Sequence, residues 1–438
     1  MVTQHQFQLF GLRRFFPYFC TQYLGALNDN IFKASLLVLI SMTFAHEYPD
    51  KANVLNNIAA AAFIFPFFLF AATAGQLADK YPKFRLIQII KLAEVIIAVL
   101  IGIGFYLDHF NFLLLVLFLL GTQAAFFSPV KYSILPQYLA NEELTGGNGL
   151  VQMGTFVAIL MGTILGGLLI SLPGWGKWAI SGTVLFCALA GLVFSLLIPP
   201  PSNSTQNVDL KINWEPFSQT YRTLASAIKN PLLFAAMIGI SWFWLLGSVL
   251  LTQIPNFTKL FLGGGPVVMT ALLTLTSLGI GVGSLLCEKL SRHREEIGLV
   301  PFGAIGLTLF TVDLGFTPII HGDFLHHWQH WRVLIDLFLV GLFGGFYIVP
   351  LYVMLQTRSP VEIRSQVIAA NNILNSLFMT LASGIAIVLL KVGLTIPQLF
   401  LVTGIANALL VTGLCRAHPE FITRFKWWLF SARQPKKS

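Results

Sequence analysis

Charge is scarce in this chain: 10% of its 438 residues are Asp, Glu, Lys or Arg, against 56% that are hydrophobic. That balance leaves no soluble basic domain to bind nucleic acid, although the formal net charge is +9. Cysteine is almost absent. Cys20, Cys187, Cys287 and Cys415 form no C-x-x-C pair and fall in or at the ends of apolar segments. They read as small packing residues, not as a disulfide or metal frame. Enzyme signatures are missing too: there is no H-x4-D, no Walker loop and no G-x-S-x-G. ATP hydrolysis within this chain is thereby excluded, and the expectation is a non-enzyme without cofactor.

What the chain does have is lipid-compatible length. Hydropathy predicts an all-α integral membrane protein of about twelve helices, from 16–44 to 394–415, the ninth over 297–319. The one long connector divides them into an N-terminal six-helix bundle (1–198), a cytoplasmic linker (199–230), a C-terminal six-helix bundle (231–416) and a basic tail (417–438). Arg13 and Arg14 lead into a first segment too long for a cleaved signal, so the N-terminus is expected to stay in the cytoplasm. Most Lys and Arg then fall on the cytoplasmic side, leaving Lys51, Lys177, Lys259, Arg332 and Lys391 outside and Lys33, Lys91 and Lys131 within spans. This asymmetry predicts both termini inside.

The linker opens with Pro199, Pro200 and Pro201 and then places Trp214, Phe217, Tyr221, Leu224 and Ile228 at helical spacing, opposite Gln219, Arg222 and Lys229. The tail repeats the pattern with Phe421, Phe425, Trp428 and Leu429 opposite Arg424 and Lys426. Both read as helices lying on the membrane surface. A weak internal repeat relates the halves: Pro129 in span 4 corresponds to Pro350 in span 10, and Asn148 with Gln152 to Asn371 with Asn375.

Four features carry the functional reading. The loop from Gly75 through Asp79 and Lys83 to Arg85 resembles the G-x-L-a-D-r-x-G-r-[RK] signature of the major facilitator superfamily, with Pro82 in place of a glycine. Gly75, Asp79, Lys83 and Arg85 are therefore candidates for a conformational latch in which an aspartate meets a helix N-terminus and basic residues. In span 1, Gln22, Ala26, Asp29 and Lys33 form one stripe widened by Asn28 and Asn30. A carboxylate near the bilayer midplane costs about 2.5–3.5 kcal/mol, so Asp29 either pairs with Lys33 or meets a substrate headgroup or cation. Span 11 adds Asn371, Asn372 and Asn375, read either as interhelical glue or as a cavity wall. Lys131 sits near the end of span 4, either snorkelling or reaching an anionic substrate. His321, Asp323, His326, His327 and His330 have metal-like spacing, but no metal site is assigned to a wet loop.

The segments Gln22–Lys33, Phe127–Leu135 and Gly344–Leu351 look like the bacterial lysophospholipid transporter family, and the resemblance covers nearly the whole chain. It implies a major facilitator fold and inward movement of lysophosphatidylethanolamine-like lipids across the inner membrane. Reacylation by a separate acyltransferase and acyl-carrier-protein ligase would follow. On that analogy Asp29, Lys131 and Tyr132 contact substrate, joined by Asn28, Asn30, Lys33, Gln22, Gln152, Asn371, Asn372 and Asn375. The expected partners are the lysophospholipid and membrane lipids, with the chain a monomer. The arginine that some members place in span 7 after Phe-Trp is absent after Phe243-Trp244. Exporters of small molecules, siderophores or metal ions on the same fold, and a non-transporting scaffold, are the alternatives.

Overall fold

The computed structural model describes residues 6–44, 49–201, 206–292, 294–320 and 327–431. Lipid offers a bare peptide group no hydrogen-bond partner, so each apolar segment satisfies its own backbone as a helix, and no strand occurs among the described residues. The first half holds α1 (Phe16–Phe44), α2 (Pro49–Lys80), α3 (Lys83–Tyr106), α4 (Phe110–Ser133), the short α5 (Leu135–Tyr138), α6 (Asn141–Ile170) and α7 (Gly176–Leu196). A connector helix, α8 (Pro216–Ile228), leads to α9 (Pro231–Phe261), α10 (Pro266–Ser291), α11 (Leu299–Leu314) and α12 (Trp328–Arg358). The chain closes with α13 (Arg364–Lys391), α14 (Ile396–Ala417) and a tail helix, α15 (Glu420–Ser431).

Among the described residues eleven helices are long and apolar enough to cross a membrane. The expected ninth span is shorter than the sequence suggested. α11 has 16 residues, about 24 Å of helix, because Gly315 ends it and Pro318 cannot continue it. Other boundaries follow local chemistry. Asn230 caps α9 by accepting from Leu233 N at 3.2 Å, Pro231 follows in the first turn, and Thr395 forms a capping box with Gln398 at the start of α14.

Helices α1–α4, α6 and α7 pack as one bundle and α9–α14 as another, with Pro129 inside α4 and Pro350 inside α12. The bundles meet through α2 with α13 and α6 with α10. Every hydrogen bond between them among the described residues falls at the end where α2, α4, α10 and α12 finish and α6 and α13 begin. Asn148 and Gln356 exchange amide bonds at 2.7 and 2.9 Å, Ser133 meets Ser365 at 2.9 Å, and Gln6 donates to Leu285 O at 3.0 Å. Burial agrees: α2 is exposed at Val54, Asn57 and Ile58 but buried from Ala71 to Gln76, and α13 is buried from Asn371 to Ser376 but exposed at Leu381, Ile385 and Val388. The end bearing most of the basic loops is sealed and the opposite end is parted.

The tail helix packs on the protein rather than lying free. Phe421 is buried, Trp428 sits 5.3 Å from the Phe302 ring centroid, and Arg358 holds the Glu420 carboxyl below the usual carboxylate range through a 2.8 Å ion pair. Within the second bundle, α10 and α12 touch backbone to backbone. A Cβ added at Gly345 would lie 2.6 Å from the carbonyl carbon of Gly283, whereas one at Gly413 meets nothing within 4 Å. Gly345→Leu is therefore expected to lower stability by about 1–3 kcal/mol through overpacking, read as a lower thermal midpoint in micelles, while Gly413→Leu leaves it unchanged.

Candidate functional site

The α1 stripe is positioned by close packing on α6. A Cβ at Gly162 would fall 2.7 Å from Asn30 Cβ, so Asn30 is turned into this contact and donates to Ala26 O at 2.7 Å. It belongs to helix packing and does not join the other polar residues. Two residues back, about 200° round the helix, Asn28 is buried and donates to Glu94 of α3 at 3.1 Å.

Glu94 is the residue that the sequence reading missed. It and Lys91 are both fully buried and paired at 2.6 Å, and Gln123 of α4 donates to the same carboxylate at 2.9 Å. Lys91 Nζ lies 5.2 Å from the Phe127 ring centroid, threaded between Gly25 of α1 and Gly191 of α7. The available signal was a Lys and a Glu three residues apart inside an otherwise apolar span, a spacing that places both on one helix face.

Asp29 points to this same interior, within electrostatic reach of Glu94, Lys91, Lys33 and Lys131. Its Oδ1 is buried without a hydrogen-bond partner. The alternative of an Asp29–Lys33 ion pair is not realised among the described residues. Lys33 lies 5.1 Å from the centroid of the Phe63 ring on α2 instead. Three lysines and two carboxylates thus share the interior of the first bundle among the described residues; Lys91 and Glu94 pair, leaving Asp29 with Lys33 and Lys131 outside any ion pair.

A second group forms where the bundles meet. Lys131 does not snorkel: it is buried and donates to Thr155 at 2.8 Å, and that hydroxyl lies 3.2 Å from Gln22 Oε1. The neighbouring Tyr132 ring stacks on Tyr352 of the other bundle, with centroids 4.2 Å apart and planes 9° off parallel. Gln152 lies beside the Tyr132 hydroxyl, while Trp244, Asn371 and Asn375 surround that of Tyr352. Asn375 also accepts from Ser241 at 2.8 Å, and Asn372 is buried with an unpartnered Nδ2. Trp244, at the place of the missing arginine's neighbourhood, stacks on Phe156 at 6.0 Å. The seam is therefore a polar floor beneath the parted end.

The latch lies one layer deeper. Asp79 accepts from Ser365 N at 2.9 Å, Gln366 N at 3.1 Å and Gln366 Nε2 at 3.2 Å, seating a carboxylate on the positive N-terminus of α13. Gly75 permits the approach, since an added Cβ would come 2.8 Å from Ala369 Cβ. Of the basic residues expected there, Lys83 donates to Ala78 O at 2.7 Å, but Arg85 is exposed and takes no part. It lies two residues further along α3, about 200° round the helix. The second half also brings a buried carboxylate, Glu288 of α10, to this end. Glu288 accepts from Gln6 N at 3.3 Å and packs against Gly146 near the start of α6.

His321, Asp323 and His326 lie outside the described residues. His330 is buried with its Nε2 3.2 Å from Leu262 O, and the described residues contain no group of three or more side chains suited to a metal ion.

Two six-helix bundles closed at one end over a polar, charge-bearing floor define a membrane transport protein. The sequence profile of the Major Facilitator Superfamily matches residues 24–383, and the chain belongs to that superfamily. It is 28% identical over 409 residues to the lysophospholipid transporter LplT of Enterobacter sp. (strain 638), covering 90% of this chain and 93% of that relative. It is 28% identical over 403 residues to the same-named protein of Escherichia coli O1:K1 / APEC, again covering 90% and 93%. Among solved structures, the human organic anion transporter MFSD10 superposes with a TM-score of 0.71 at 14% identity, over 91% of this chain and 99% of that one. The E. coli fucose:proton symporter FucP superposes with 0.68 at 14% identity, over 91% and 97%. These likenesses establish the fold.

Two outcomes follow from the geometry. Lys91→Met strands a buried carboxylate and is expected to cost about 3–5 kcal/mol, while Lys91→Met with Glu94→Gln recovers much of it; thermal unfolding of the three proteins in micelles measures both. Asp79→Asn removes about 1.5–3 kcal/mol of charge-assisted bonding from the seal, so a cysteine at Ser133, buried in the seam, becomes reactive to a soluble maleimide.

Proposed function

We propose that this chain is a secondary transporter that moves lysophospholipids such as lysophosphatidylethanolamine across the bacterial inner membrane toward the cytoplasmic leaflet by alternating access. The observation that carries the reading is the unpartnered, buried Asp29 oxygen within electrostatic reach of the buried cation Lys131. A headgroup with an ammonium and a phosphate matches that pair: the ammonium meets Asp29 and the phosphate meets Lys131, whose hydrogen bond to Thr155 is exchangeable. The curated relatives named as lysophospholipid transporters support the same substrate class.

With both termini cytoplasmic, as the basic residues favour, the sealed end faces the cytoplasm and the site opens outward, ready to receive lipid from the outer leaflet. Gln22, Thr155, Gln152, Tyr132, Asn371 and Asn375 then form the floor that must part for release inward. Asp79 on α13 and Glu288 near α6 are the contacts that break. The chain works as a monomer and hands its product to a separate acyltransferase and acyl-carrier-protein ligase.

The test is uptake of labelled lipids into proteoliposomes, with a panel of aqueous solutes alongside. Asp29→Asn keeps the shape and removes the charge, so uptake of lysophosphatidylethanolamine should fall about ten- to a hundredfold, the equivalent of about 1.5–3 kcal/mol. Lysophosphatidylglycerol, which has no ammonium, should fall less. Equal loss for both lipids, or uptake of an aqueous solute in place of either, defeats the assignment.

A further inference from the structure

The connector between the bundles does not stay at the ends of the helices. Asn207 N bonds to Asp79 O at 3.0 Å, Lys80 Nζ to Leu210 O at 2.8 Å, Asn213 to the Gln76 amide at 3.0 and 3.3 Å, and Thr220 Oγ1 to Phe68 O at 3.0 Å. The chain therefore climbs α2 from residue 79 to residue 68, about 16 Å at helical rise, before α8 returns. α8 lies on the α2–α13 seam, with Leu224, like Phe68, packed against Ala71, Ala72 and Ile373. Its orientation is the reverse of a helix that buries its apolar face in its own protein. Gln219 and Thr223 are buried, while Trp214, Phe217 and Tyr221 are 67%, 75% and 75% exposed, which suits a lipid-facing surface.

Behind this hairpin lies a cavity of about 380 Å³. Lys211 and Arg222 both line it, no carboxylate does, and neither cation forms an ion pair among the described residues. Gln76 from the first bundle and Gln366 from the second complete its polar wall, and Gln366 is one of the residues that hold Asp79. We infer that this cavity binds the phosphodiester headgroup of an anionic bilayer lipid, with Lys211 and Arg222 as its counter-ions, and thereby favours the state sealed at this end. The chemistry is that of two unpaired cations and neutral amides beside lipid-facing aromatic residues, at the depth of a leaflet's headgroups. The coupling follows from the walls: they come from both bundles, so the occupied cavity exists only while the bundles touch. A ligand that binds one state better shifts the equilibrium toward it.

The test uses the full chain in nanodiscs of phosphatidylethanolamine with and without phosphatidylglycerol. Native mass spectrometry should find phosphatidylglycerol retained by the wild type and retained about tenfold less by Lys211→Gln with Arg222→Gln, two exposed positions whose replacement leaves the fold intact. Spin labels at Asn57 and Val388, on the parted ends of α2 and α13, should report a larger open fraction with phosphatidylglycerol in the wild type only. Equal retention by the double variant overturns the site, and an unchanged label distance overturns the coupling. Displacement by millimolar inorganic phosphate would reassign the cavity to a soluble anion. Displacement by lysophosphatidylethanolamine would reassign it to a transport substrate. Loss of lipid uptake in Asp29→Asn moves none of these readouts, so the two proposals fail separately.

Discussion

A charge buried in a membrane protein has to be neutralised by something within hydrogen-bond reach, and this constraint organises the first bundle. Lys91 and Glu94 satisfy one another, with Asn28 and Gln123 filling the carboxylate's remaining capacity. Lys131 has Thr155, and Lys33 has, among the described residues, only the face of an aromatic ring. Asp29 keeps an oxygen with no partner. A fully neutralised core would have been easier to fold and would offer a ligand nothing. The glycines around Lys91 fit the same logic: Gly25 and Gly191 provide room for a long side chain to lie buried between α1 and α7.

The sealed end rests on a different use of charge. Asp79 sits on the first amides of α13, where the helix dipole and two backbone donors supply what a basic side chain would otherwise provide. Glu288 of the other bundle accepts instead from Gln6 N, ahead of α1, and packs beside Gly146 of α6. Such contacts are local and few among the described residues, and each ends on a group that water could satisfy. The backbone-to-backbone packing of α10 on α12 is not of that kind and binds those two helices of the second bundle closely together. The connector hairpin spans the seam between these two behaviours, touching α2 and α13 at once.

Span 7 carries no arginine after Phe243 and Trp244, and Trp244 stacks on Phe156 and donates to Tyr352 at 3.4 Å. At the seam the second bundle presents amides and hydroxyls, among them Asn375, Ser241 and Tyr352, while the buried cation Lys131 comes from the first.

The apolar runs, the polar stripe of α1, the Gly75–Asp79 motif and the paired prolines of α4 and α12 were legible in the residues alone, because each is a local or periodic signal and lipid admits only helices. The end of α11 was legible only in part, since Gly315 and Pro318 outweigh the hydropathy that runs past them. Pairing within the site was not legible at all. A spacing of four residues brings Asp29 and Lys33 near each other but does not bond them, and which partner a desolvated charge takes depends on the helices packed against it. The structure brought Glu94 from α3 to Asn28, Phe63 from α2 to Lys33 and Tyr352 from the other bundle to Tyr132. Likewise an amphipathic stripe fixes that α8 has two faces, while the seam between α2 and α13, which offers both amides and an apolar patch, decided that Gln219 and Thr223 turn inward together with Leu224.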